Sequence, residues 1–172
     1  MHLNMKPEKG MEMGTEQIFQ MQFILSMIVT AMVGIWWVRP WLKRIDFFDG
    51  LFWLTVPHAL RHLGMVFLVP AVVHADMPQD FAVEAGYGDL AAGLIALIAL
   101  PALHYRLAAA LPLVWLFNIV GTGDLLNALP QVGAIPFFRS AWYIPTFIVP
   151  VLLVTHALMF EALISRLRNR AG

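Results

Sequence analysis

Five long apolar runs joined by short polar links leave this chain few ways to fold. The first, residues 18–38, carries no charged residue and is long enough for a bilayer core of about 30 Å at about 1.5 Å per residue. The others cover approximately 47–73, 88–105, 107–129 and 142–165. Sixty per cent of the residues are hydrophobic and 13% are charged, where a soluble domain averages about a quarter charged. The expected fold is therefore an all-α integral membrane protein, a five-transmembrane-helix bundle. Residues 1–17 read as a polar N-terminal tail, 18–165 as one transmembrane domain and 166–172 as a basic tail.

Trp36, Trp37 and Trp41 mark an interface at the end of the first run, and Pro40 reads as its stop. Lysine and arginine at the run ends set the expected orientation. Arg39, Lys43, Arg44, Arg106, Arg166, Arg168 and Arg170 fall on one side, against Lys6, Lys9 and Arg139 on the other. That bias places the C-terminus in the cytoplasm, and five crossings place the N-terminus outside. A multi-pass protein of the bacterial inner membrane is the matching location. The stretch 74–89 holds Asp76, Asp80, Glu84 and Asp89 with no lysine or arginine, and reads as a solvated outer loop.

Several function classes drop out. Net charge is zero and no basic patch is interleaved with aromatics, so nucleic acid is not an expected partner. No cysteine is present, which removes disulfides, zinc thiolates and thiol nucleophiles. No Ser/His/Asp spacing and no zinc-protease helix motif stands out, so the sequence assigns no catalytic residue and no enzyme activity. The lipid bilayer is the expected partner, with a second copy or another membrane protein as further partner classes. In the N-terminal tail, Met1, His2, Met5, Met11 and Met13 suggest a soft-metal alternative to a plain polar terminus, because thioethers suit Cu(I).

Ionisable residues inside a span are costly and mark a site by default. The second run carries His58, Arg61 and His62. At α-helical spacing Thr55, His58, His62 and Met65 form one polar stripe with Arg61 beside it. The fourth run carries Asn118 and, after Gly121-Thr122-Gly123, Asp124; the fifth carries His156. Counting helical rise from the basic ends puts His58, Asn118 and His156 at one depth, roughly 13–16 Å in, with Asp124 at about 25 Å, within reach of an extended Arg61.

Three readings compete for this layer. His58, Arg61, His62, Asn118, Asp124 and His156 form a small-ligand site, with His58, His62 and His156 as ligands to a transition metal or haem. Alternatively, they line a path for an ion or anionic solute, with Pro57, Pro150 and the Gly121–Asp124 run breaking helices at mid-membrane. In the third reading they only fix helix packing, with Thr55, Asn118 and Thr155 as hydrogen-bond partners.

Overall fold

The computed structural model describes residues 13–171. The soft-metal set Met1, His2, Met5 and Met11 lies outside them, and Met13 is exposed. Among the described residues the chain is all helical, without strands. Five helices are long and apolar enough to cross a membrane: α1 Thr15–Leu42, α2 Phe47–Leu68, α3 Gln79–His104, α4 Ala110–Ala128 and α5 Arg139–Asn169. A short turn of 3-10 helix, Val132–Phe137, lies between α4 and α5.

Local chemistry sets the ends. Asp46 caps α2 by accepting from the Phe48 amide at 2.9 Å. Pro70 ends it, and Val69 before that proline is extended, as the ring requires. Pro78 precedes the first turn of α3, which carries Asp80 near its positive end. The stretch 74–89 is thus not all loop, because the helix starts at Gln79 and Asp89 lies well inside it. Gly121-Thr122-Gly123-Asp124 does not break α4, which runs unbroken through all four residues.

α3 is the central helix and packs against both α2 and α4. Ala92, Ala96 and Ala99 are fully buried along one face. Residues this small let neighbouring backbones approach closely. Gly93 does the same, lying against the His62 amide and the His58 carbonyl. One apolar cluster fills the basic end of the bundle, around Leu51, Leu54, Leu103, Phe117 and Met159. A second fills the Thr15 end, around Phe67, Phe81, Ile135 and Phe138. The buried polar residues lie between them.

α1 is peripheral: Gly34, which opens a π-helical turn, is its one buried residue and packs on Val154 and Leu158 of α5. A Cβ at Gly34 would sit 2.8 Å from Val154 Cγ1. Valine is stiff at χ1 in a helix and cannot swing aside. Gly34→Ala is expected to cost about 1–3 kcal/mol by overpacking, measured as a lowered midpoint of thermal unfolding in detergent. An unchanged midpoint would mean that α1 is not held at this contact.

Candidate functional site

The second helix changes pitch where the site begins. It is α-helical through Ala59 and 3-10 from Leu60 to Leu68. Pro57 and Gly64 are the sequence features that weaken α-helical continuity there. A 3-10 helix repeats every three residues, so His58, Arg61, Gly64 and Phe67 fall on one line, and all four are buried. This overturns the stripe expected from a 3.6-residue repeat. His62 is exposed, and its Nδ1 reaches only the Ala59 carbonyl of its own turn at 3.0 Å. Met65 is likewise exposed.

Arg61 is the hub. Its side chain is fully buried, and three donors reach two other helices. Nε donates to Asp89 Oδ1 on α3 at 2.7 Å. Nη1 donates to the Gly121 carbonyl on α4 at 2.9 Å, and Nη2 donates to Asp124 Oδ2. The planar guanidinium suits this three-way fork, which a lysine ammonium would not reproduce. Formal charge does not balance, since two carboxylates face one cation.

Three glycines make room for this triad in a closed cycle. Gly64 on α2 faces the Asp89 carboxylate, and Gly88 on α3 faces the Asp124 carboxylate. Gly121 on α4 faces Arg61 Nη1, which a Cβ would approach to 2.7 Å. Each helix thus gives up a side chain where its neighbour's charge comes in.

The histidines form an adjoining layer. Their ring centroids are 4.1 Å apart, and the Phe117 ring packs on both. Thr155 Oγ1 commits its hydrogen to the Val151 and Leu152 carbonyls, so His58 Nε2 donates to it at 2.8 Å. His156 Nδ1 donates to Asn118 Oδ1 at 2.5 Å, while the Asn118 amide faces the His156 carbonyl at 3.4 Å. His58 Nδ1 and His156 Nε2 are left buried with no hydrogen-bond partner. Thr55 bonds to Leu51 O in its own helix and contacts Met159 Sδ at 3.7 Å. Gly121 joins the layers, because a Cβ there would also lie 2.9 Å from His156 Nε2.

Of the residues singled out in the sequence, His58, Asn118 and His156 meet in one layer, Arg61 and Asp124 in the next, and His62 in neither. Asp89 is the addition. A signal for it exists: Ala82, Ala85, Gly86, Asp89, Ala92, Gly93 and Ala96 repeat at helical spacing and are all buried.

Two cavities reach the triad. One, of about 60 Å³, is lined by Asp89 and Asp124 together with Phe19, Phe67, Phe81 and Phe138. Phe67, Phe81 and Phe138 contact each other at 5.4–5.7 Å between centroids. The other, of about 170 Å³, opens between α2 and α5 beside Leu60, Leu63, Ile148 and Leu152 and reaches Arg61 and Asp89. Neither is lined by His58 or His156.

A haem does not fit the histidine pair. Axial imidazoles stand on opposite faces of a macrocycle, whereas these rings contact each other and Phe117 closes their edge. With His62 turned away, no group of three or more His, Asp or Glu among the described residues is arranged around a metal position.

A family model described as "Domain of unknown function (DUF8737)" matches residues 18–164. The chain belongs to this family. No curated protein and no solved structure matches it. The DUF8737 match contains the whole triad, its three glycines and the histidine layer.

Proposed function

We propose that this protein is a multi-pass membrane protein that binds a small amphiphile through a cationic head, an ammonium group seated on Asp89 and Asp124. The observation that carries the reading is the carboxylate pair. Each acid holds Arg61 on one side and borders an aromatic-walled cavity on the other. One added monocation balances two carboxylates and one guanidinium. Aromatic faces attract such a cation further, by about 0.5–2 kcal/mol each when desolvated. The cavity takes a head group of a few heavy atoms, and its open side leaves room for a hydrocarbon tail. An anionic solute fits less well, because the Arg61 donors are already engaged.

The seven-to-three bias of basic residues supports a C-terminus in the cytoplasm, and hence a cavity on the outer half of a bacterial inner membrane. A reporter fused after Gly172 is then active only in the cytoplasm.

The binding test uses purified protein with octylammonium, octanol and octanoate at equal sub-micellar concentration. Octylammonium is expected to raise the unfolding midpoint, and the other two are not. Asp124→Asn keeps the shape, removes the excess charge and is expected to weaken octylammonium binding at least about tenfold, or about 1.4 kcal/mol. Equal shifts from octanol would reduce the site to an apolar pocket and sink the proposal.

A further inference from the structure

At the basic end, the last turn of α1, Lys43, Phe47 of α2 and the last turns of α5 line a cleft of about 410 Å³, separate from the triad. We propose that it holds the phosphate of an anionic phospholipid, with the acyl chains lying along the α1–α5 seam. The cleft is lined by three cations, Arg39, Lys43 and Arg166, and one carboxylate, Glu161. Arg39 is spoken for, since its Nε donates to Glu161 at 2.8 Å. Lys43 and Arg166 have no salt-bridge or hydrogen-bond acceptor among the described residues.

The Arg166 guanidinium is held in place, 4.2 Å from the Phe47 ring centroid and 5.3 Å from that of Phe48. A cation fixed this way loses little freedom when it binds a phosphate oxygen. Ser165 and Asn169 add polar groups at the rim, while Leu42, Phe47, Leu158 and Ala162 make the rest of the wall apolar. A free anion would use only the charged half. A phospholipid matches both halves, and charge complementarity selects an anionic head group over a zwitterionic one. The site also lies where α1 needs support, because Gly34 is the only buried residue of that helix. This inference rests on the helices spanning a bilayer and is independent of the ammonium site.

The test is lipid binding to the full-length protein in detergent, read by native mass spectrometry and by the unfolding midpoint. The probes are phosphatidylglycerol, phosphatidylcholine and inorganic phosphate. Phosphatidylglycerol is expected to bind and to raise the midpoint, phosphatidylcholine to do so at least about tenfold more weakly, and phosphate not at all. Lys43→Gln, at an exposed position, is expected to weaken phosphatidylglycerol binding several-fold without lowering the midpoint of the lipid-free protein. Lys43→Gln with Arg166→Gln is expected to abolish the preference while the octylammonium response survives. Equal binding of the two lipids, full reproduction of the effect by phosphate, or an undiminished preference in the double variant would overturn the proposal.

Discussion

Arg61→Ala is expected to cost about 3–5 kcal/mol and to leave little folded protein, because it strands two buried carboxylates without their cation. Asp89 and Asp124 both bond the same guanidinium, from α3 and α4 respectively. Without it they repel each other, and the bundle loses the side chain that hydrogen-bonds α2 to both α3 and α4. Arg61→Lys restores the charge but not the fork, so it is expected to recover only part of the loss. The informative comparison is Arg61→Met combined with Asp89→Asn and Asp124→Asn, which removes all three charges. A neutral replacement of a buried ionic cluster is often tolerated, so this variant is expected to fold far better than Arg61→Ala while failing to bind octylammonium. Size-exclusion profiles and unfolding midpoints in detergent measure the first effect, and probe binding measures the second. If the neutral variant unfolds as readily as Arg61→Ala, the triad's geometry rather than its charge holds the helices, and the assignment of an excess negative charge to the site loses its support.

The five helices are legible in the sequence because hydropathy over about twenty residues is a local property. The adjacency of His58, Asn118 and His156 is legible for a simpler reason. Helical rise is constant, so counting from the basic ends puts them level, and in the structure they touch. Two features are not legible by these means. His62 falls on the site face only if α2 keeps a 3.6-residue repeat, and the local switch to three per turn carries it to the outside. Asp89 reads as loop because its neighbours Asp76, Asp80 and Glu84 are acidic, and a window average cannot separate a solvated acid from a paired one. The small-residue repeat around Asp89 carries the missing information, since a loop has no use for buried alanine and glycine at helical spacing. Sequence distance does not decide the matter: Asp124, 63 residues from Arg61, falls within the reach that counting depth allows, whereas Asp89, only 28 residues away, is hidden by the acidic stretch before it.

Gly121→Ala is the second change expected to have a large effect, and its neighbour Gly123→Ala is its control. Alanine is normally the better helix former, by about 0.8–1 kcal/mol, and both positions lie inside α4. At Gly123 a Cβ meets nothing within 4 Å, so that substitution is expected to be neutral or to raise the unfolding midpoint. At Gly121 the same methyl group comes within 2.7 Å of Arg61 Nη1 and 2.9 Å of the His156 ring. Neither neighbour can give way cheaply. Moving the guanidinium breaks its hydrogen bonds to Asp89, Asp124 and Gly121, and moving the ring breaks the contact with Asn118. Overpacking alone costs about 1–3 kcal/mol, and a partly unpaired buried charge adds to it. Of the two alanines, two residues apart, only Gly121→Ala should therefore lower the midpoint, and it should also weaken octylammonium binding through the displaced carboxylates. Matching small effects at both positions would show that the charged triad and the histidine layer do not meet at Gly121, and would remove the physical link between them.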